Sequence, residues 1–272
     1  VKRSGIVRLW NIGKQQPLRT YPTQGDLGFV WHLAVSIDGK RFLCGDSRPS
    51  VSVWETETGK TINTLQDEKL GDIVTAAVLA DDGKTVFSVW SKANAAPDDF
   101  ACARFVVWNG DANKVQWSQV ASYRGRPPVL VQGDKLLIGG GPNLFDTWDW
   151  KRGKRLESWG GHKGNVNALA VVAKGEIVSA GQEGVLMTWR NGQLAEKSTA
   201  HAGPITALAV SKDREEWLTA GADLIIRHWP LDARRPPAFK KSHTAPITSL
   251  AFSASGSWAC SASADRSVKI WR

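Results

Sequence analysis

The sequence is short of the residue types that would give it an easy label. Cysteine occurs three times, methionine once (Met187) and tyrosine twice in 272 residues. Cys44, Cys102 and Cys260 are odd in number, far apart and form no C-x-x-C pair. That excludes a disulfide framework and a cysteine-based metal site, and the three read as small buried apolar residues. No apolar run approaches the ~18 residues of a membrane-spanning helix, so no membrane insertion is expected. The first ten residues have neither the basic nor the apolar region of a signal peptide, and a cytoplasmic location is favoured. Because the chain starts at Val1 and its single methionine lies far inside, a processed, trimmed or partial sequence is expected.

Catalytic signatures are missing too. "GKT" stands at Gly59 to Thr61 and at Gly83 to Thr85, but a P-loop needs a glycine five positions earlier, where the chain has Trp54 and Val78. "GGGP" at Gly139 to Pro142 leads from one strand-like run into another, with no helix to complete a dinucleotide fingerprint. H-E-x-x-H, G-x-S-x-G and EF-hand patterns do not occur. His32 and His228 have no partners at metal-ligand spacing, and alternation turns His228 away from Trp229. No catalytic residue, metal ligand or cofactor is assigned, and the chain is read as a non-enzyme.

What is present is an ordinary globular composition, 42% apolar and 22% charged, with enough hydrophobicity to fold. The formal charge of +9 raises nucleic acid or an anionic surface as partner. Its cations, however, fall in short groups such as "RGR" (Arg124 to Arg126), "KRGKR" (Lys151 to Arg155) and Arg234 with Arg235, without a continuous tract, which suits solvated loops.

Tryptophan is abundant, with fourteen residues, and seven of them recur in register. "SAGQEGVLMTW", "TAGADLIIRHW" and "SASADRSVKIW" end on Trp189, Trp229 and Trp271, and Trp10, Trp54, Trp108 and Trp148 close similar runs. The intervals are 44, 54, 40, 41, 40 and 42 residues. A period of ~40 to 45 residues with four short strands per unit marks a β-propeller blade. Within a unit, "PITSLAFS", "SWACSAS" and "SVKIW" read as three strands bounded by turn residues, and "QLAEKST" or "KRLESW" supplies a fourth. The other seven tryptophans (Trp31, Trp90, Trp117, Trp150, Trp159, Trp217 and Trp258) mostly fall inside strand-like runs and are expected to pack between blades.

These units resemble the WD40 repeat. "ESWGGHKGNVNALAVV", "STAHAGPITALAVS" and "KSHTAPITSLAFS" are similar to its first part, and "TWDW" carries the Trp-Asp pair at Trp148 and Asp149. The resemblance covers essentially the whole chain. It implies an all-β propeller of four-stranded antiparallel blades, spanning roughly 1–24, 25–69, 70–122, 123–161, 162–200, 201–242 and 243–272. Two closures stay open: six blades, with the strand near Pro17 to Thr23 completing the blade of Trp271, or seven. Seven is favoured, because seven third strands are present.

The resemblance also implies a hydrogen-bonded His, Ser/Thr, Asp and Trp set within a blade. By position these sets are His201, Thr219, Asp223 and Trp229, then His243, Ser261, Asp265 and Trp271, and then His162, Ser179, Glu183 and Trp189, with a glutamate replacing the aspartate. All are expected to be architectural. At the turn-acid position the first four blades have Ser4, Arg48, Cys102 and Pro142, so these blades are expected to lack the polar staple and to rely on packing.

The 54-residue interval contains "SKANAAPDDFACA" (Ser91 to Ala103), some ten residues more than neighbouring blades need, and a long loop on a rigid scaffold is a reasonable binding element. Lys92, Asp98, Asp99 and Phe100 there, together with Arg48, Lys163 and Gln182, are the expected partner-contacting residues. The function expected is a non-catalytic scaffold for other proteins or peptides. The alternatives are a nucleic-acid or anionic-surface binder and a regulatory domain of a larger enzyme.

Overall fold

The computed structural model describes residues 5–22, 30–46, 48–67, 69, 73–91, 102–122, 127–141, 143–211, 213, 215–230, 238–241, 243–253 and 255–271. Apart from one short 3-10 turn, Ala173–Gly175, its regular structure is β-strand. The strands are β1 (Ile6–Asn11), β2 (Gln16–Pro22), β3 (Val30–Val35), β4 (Arg41–Asp46), β5 (Val51–Glu55), β6 (Thr61–Leu65), β7 (Ile73–Leu79), β8 (Thr85–Ser91), β9 (Cys102–Asn109), β10 (Lys114–Ser122), β11 (Val129–Gln132), β12 (Lys135–Gly141) and β13 (Leu144–Asp149). They continue as β14 (Lys154–Gly160), β15 (Val166–Val171), β16 (Ile177–Gly181), β17 (Val185–Arg190), β18 (Gln193–Thr199), β19 (Ile205–Val210), β20 (Glu216–Gly221), β21 (Ile225–Pro230), β22 (Ala238–Lys241), β23 (Ile247–Phe252), β24 (Ala259–Ser263) and β25 (Val268–Trp271).

Sequence neighbours are sheet neighbours throughout. Strands β3 to β6, β7 to β10, β11 to β14, β15 to β18 and β19 to β22 form four-stranded sheets, β23 to β25 a three-stranded one, and β1 with β2 a pair. These are the antiparallel blades of a propeller fold. The chain divides into two compact units, Val1–Leu136 with Asp149–Lys154, and Leu137–Trp148 with Arg155–Arg272.

In the second unit, β19 shows why the strands read as they do. Ile205, Ala207 and Ala209 alternate with Thr206, Leu208 and Val210, and neither set is exposed. A strand has two faces, and here both are covered by neighbouring sheets. Leu208 and Val210 pack against Ala168, Val178 and Ala180 of the sheet before. Ala207 and Ala209 join Leu218, Ile247 and Leu250 toward the sheet after.

The turn that follows five of the first strands is closed in a common way. Ser36 N–H donates to Arg41 O, Ala80 to Thr85, Val172 to Glu176, Ser211 to Glu216 and Ser253 to Trp258, at 2.8 to 2.9 Å. Side-chain oxygens of Asp38 and Asp82 accept from the Lys40 and Lys84 N–H groups inside two of these turns, the local bonding that makes Asp a turn residue.

The first unit departs from expectation in β7 to β10. Ser88 Oγ is fully buried and accepts two indole N–H bonds of 2.7 Å, from Trp108 and from Trp90. This blade therefore has a polar staple without a turn acid. The reason lies two residues along β8 from the serine. In the sheets of Ser179 and Thr219 that place is Gly181 or Gly221, where an added Cβ would stand 2.4 Å from His162 Nδ1 or 2.6 Å from His201 Nδ1. The third stapled sheet has Ser263 at this place, its hydroxyl donating to Ala245 O, so a small residue there leaves room for an imidazole. In β8 the place holds Trp90, which bonds to the serine itself.

Among the other tryptophans set aside as packing residues, Trp159 on β14 stacks on Trp189 of the following sheet with centroids 5.9 Å apart. Trp217 stacks on Trp229 within its own sheet, at 5.0 Å. Trp117 is edge-on to Phe105 and its indole donates to Trp150 O, while the Trp150 indole donates to Gly133 O at 2.9 Å. Trp258 is 40% exposed, and the side chain of Trp31 lies outside the described residues.

In β3 to β6 the hydroxyl is missing. Cys44 stands ten residues before Trp54, the spacing of Thr219 to Trp229, and the buried Trp54 Nε1 has no hydrogen-bond partner. Phe42 stacks on that indole at 6.0 Å and Tyr21 meets it edge-on, so aromatic packing holds this blade.

Two stability measurements follow. Ser88→Ala leaves two buried indole donors unsatisfied and should lower unfolding free energy by about 2–4 kcal/mol. Cys44→Ser should instead supply an acceptor to Trp54 and raise it by about 1 kcal/mol. Chemical denaturation of the two variants beside the parent protein checks both.

Candidate functional site

In the second unit, three sheets share one construction at the end where the loop entering the first strand meets the turn between the second and third. His201 Nε2 lies 2.9 Å from Thr219 Oγ1, and Trp229 Nε1 donates to the same oxygen at 2.9 Å. His201 Nδ1 lies 2.9 Å from Asp223 Oδ1, and Asp223 also accepts from Arg227 Nη1 at 2.9 Å. In the last sheet His243 bridges Ser261 Oγ at 2.7 Å and Asp265 Oδ2 at 2.9 Å, with Trp271 donating to Ser261 at 3.1 Å.

The glutamate version closes as well. His162 lies 2.8 Å from Ser179 Oγ and 2.7 Å from Glu183 Oε1, and Trp189 donates to Ser179 at 2.8 Å. The extra methylene leaves one trace: Glu183 Oε2 is buried without a partner, whereas both oxygens of Asp223 are used.

Each carboxylate ties the two loops together. It also accepts the N–H of the residue after the histidine, Lys163 at 3.2 Å, Ala202 at 3.4 Å and Thr244 at 3.1 Å. A backbone bond completes each junction, from Gln182 N–H to Asn165 O at 2.9 Å, Ala222 to Pro204 at 2.9 Å and Ala264 to Pro246 at 3.0 Å. Lys163 and Gln182, both expected contact residues, are thereby brought to one junction and are exposed. The corresponding junctions carry Ala202 with Ala222, and Thr244 with Ala264.

Arg48 sits in the first unit, half-buried in the turn between β4 and β5. Lys92, Asp98, Asp99 and Phe100 lie outside the described residues. Of the histidines outside the staples, His228 faces Glu216 across β20 and β21, with Nε2 3.4 Å from Oε2.

The charge states of the staples follow from burial. Burial pushes the imidazoles of His162 and His201 below the ordinary histidine value, against the opposing pull of Glu183 and Asp223. Burial raises the Asp223 carboxyl, but hydrogen bonds from His201 and Arg227 outweigh it and hold the group below the usual range. Asp265 is depressed further, first by the Ser267 hydroxyl and also by Thr244 N–H and His243. All three imidazole side chains are fully buried, so none can touch a substrate. They anchor loops.

The sequence reading missed Arg227 and Ser267. Arg227 is invisible to strand alternation, because the turn at Asp223 folds it back onto the acid. Ser267 had a signal, since "DRS" places a hydroxyl where an Asp turn bonds two residues on, and Ser267 N–H and Oγ both donate to Asp265 Oδ1.

The profile of the family described as "WD domain, G-beta repeat" matches residues 235–272, which contain the His243, Ser261, Asp265 and Trp271 staple. Residues 235–272 thus match a WD40 repeat. Similar curated proteins include apoptotic protease-activating factor 1 of Rattus norvegicus, 19% identical over 97% of this chain and 23% of its own length. Autophagy-related protein 16 of Arabidopsis thaliana is 26% identical over 68% of this chain and 35% of its own length. Small ribosomal subunit protein RACK1y of Oryza sativa subsp. japonica is 25% identical over 91% of this chain and 76% of its own length. The chain thus spans about a quarter to a third of the first two relatives. Among the described residues no helix is long and apolar enough to cross a membrane.

Because His162 and His201 bind protons less readily when folded than when unfolded, the unfolded chain takes up more protons as pH falls below the ordinary value of 6.5. Their contribution is full above that value and is lost as pH drops toward the folded-state values. The depressed carboxyls act in the same direction, from 3.8 downward for Asp223. Denaturation midpoints should therefore fall between about pH 7.5 and 5, and His201→Gln should remove part of that slope. A midpoint that rises toward acid would contradict the buried neutral imidazoles.

Proposed function

We propose that this WD40-repeat chain is a non-catalytic platform whose loop junctions hold other proteins or peptides. One observation carries the reading: three successive blades consume their histidines and turn acids internally and leave short, rigidly tied rims exposed. Such a rim offers recognition on a fixed scaffold, and buried, hydrogen-bonded imidazoles offer no acid or base to a bound molecule. The names of the relatives, a ribosomal subunit protein among them, fit a protein that works in assemblies. Partial coverage of the longer relatives is in keeping with an interaction region within a larger protein.

Charge distribution bears on the nucleic-acid alternative. Three cations of the "KRGKR" group face acids, Lys151 with Asp134 at 2.6 Å, Arg152 with Asp149 at 2.6 Å and Arg155 with Asp146 at 3.9 Å. Their charge is compensated locally, which weakens the pull on a phosphate backbone.

Affinity capture with the intact chain, followed by mass spectrometry, tests the proposal. A reproducible set of bound proteins is expected, and the charge-reversing Lys163→Glu with Gln182→Glu should lose members of it at unchanged melting temperature. Deletion of Ser91 to Ala103 should alter the profile as well. Retention of nucleic acid that weakens steeply with added salt, with no bound protein, would favour the alternative instead.

A further inference from the structure

The fourth strand of each blade is its outer one, and the free edge of such a strand carries backbone groups that another chain can pair with. In the four-stranded sheets these edges are guarded in every case but one. β14 carries Lys154, Arg155 and Glu157, β18 carries Glu196 and Lys197, and β22 carries Lys240 and Lys241. β6 has no charge but is only five residues long. β10 is nine residues long, and after Lys114 at its start every residue to Ser122 is uncharged. Its one irregularity is a bulge between Val115 and Trp117, and from Trp117 to Ser122 it pairs with β9 residue for residue. Short length, charge and bulges are the means by which edge strands avoid an added partner, and this stretch has none of them.

The side chains beside that edge add a preference. Trp117 turns to one face, where its indole donates to Trp150 O. Ser118 and Val120 turn to the other, and Arg104 of β9 lies on the same face, opposite Val120. Toward the start of β10 this face is covered, where Val106 and Val115 pack with Val53 and Leu65 of the sheet before. Further along the cover ends, and Val120 is 50% exposed. Arg104 is half-buried, and its guanidinium reaches β10, with Nη1 3.4 Å from Ser118 Oγ. Among the described residues it faces no carboxylate, whereas Arg41, Arg152, Arg155, Arg190 and Arg227 each do.

We propose that β10 is a strand-addition site for an extended segment of a partner protein. The segment pairs antiparallel with Trp117 to Ser122, sets an aliphatic side chain against Val120 and, two residues later, an acidic one beside Ser118 and Arg104. The backbone ladder supplies affinity for an extended chain. The aliphatic-x-acidic spacing supplies the choice, because residues two apart share a face and directly opposed side chains touch. The uncompensated cation is what selects the acid. This surface lies on an outer strand, goes beyond the loop junctions of the proposed function and does not depend on them.

Two heptapeptides serve as probes on the intact chain, acetyl-Thr-Thr-Val-Thr-Glu-Thr-Thr-amide and its counterpart with Lys in place of Glu. With the Glu peptide at millimolar concentration, amide exchange over Trp117 to Ser122 should slow about tenfold or more. That peptide should bind about fivefold more tightly than the Lys one at low salt. Arg104→Gln should erase the preference and keep the protection. Val120→Asp should weaken the Glu peptide about tenfold at unchanged melting temperature, because the side chain is exposed. The proposal is overturned if neither peptide slows exchange in β10, if protection falls equally on β14 and β18, if the two peptides bind alike, if Arg104→Gln retains the preference, or if Val120→Asp binds as the parent does. Exchange in β10 that is already slow in the free protein and quickens on deletion of residues 92–101 would assign the edge to the chain's own insertion, and would overturn it too.

Discussion

The structure depends on a hydroxyl oxygen buried under an indole. Ser179, Thr219 and Ser261 are completely buried, and a serine or threonine oxygen in that position must fill its lone pairs or cost the blade its desolvation. The third-strand tryptophan donates to that oxygen, and the hydroxyl in turn donates to the histidine Nε2. The far ring nitrogen of that histidine then needs a partner of its own, and the turn acid provides it. A chain of satisfied bonds thus runs from third strand to second strand to entering loop to turn, and a blade with every member satisfied is rigid where a partly satisfied one would be penalised.

Sheet β7 to β10 meets the same requirement by a different route. Trp90 replaces the imidazole on Ser88, and an indole has only one polar atom, so nothing further is required of the turn. The connection from β8 to β9 is thereby released from the length that a turn acid imposes on it in the stapled blades. It is also where the chain is some ten residues longer than its neighbours. In the sheet of Trp54 the hydroxyl gives way to Cys44, and Phe42 and Tyr21 crowd the indole instead. One architecture is held in three ways along the chain.

This arrangement also explains what the staple histidines and acids do in the fold. Imidazoles with both nitrogens engaged and no exposed atom are structural members, and burial lowers the proton affinity of His162 and His201. What faces solvent is the residue after each histidine and the turn opposite it, a lysine and a glutamine at one junction and alanines or threonine at the others. Side chains at those places project away from the staple beneath, and under the proposed function it is their variation that would set recognition.

The sequence by itself determined the period and the strand order within each blade, because these are short-range, and its resemblance to the WD40 repeat implied the staples of His201 and His243 and a third with Glu183 in place of the aspartate, whose closure the structure shows. It did not disclose that Trp90 stands in for a histidine, since that requires knowing which side chain reaches the Ser88 hydroxyl in the folded blade. Nor did it show that Val120 is open while Val106 and Val115 on the same face are covered, as that depends on the sheet before. Only tertiary structure decided those points. Burial of a strand face belongs to the sheet packed against it, and a repeat specifies its own face without specifying that a neighbour is there.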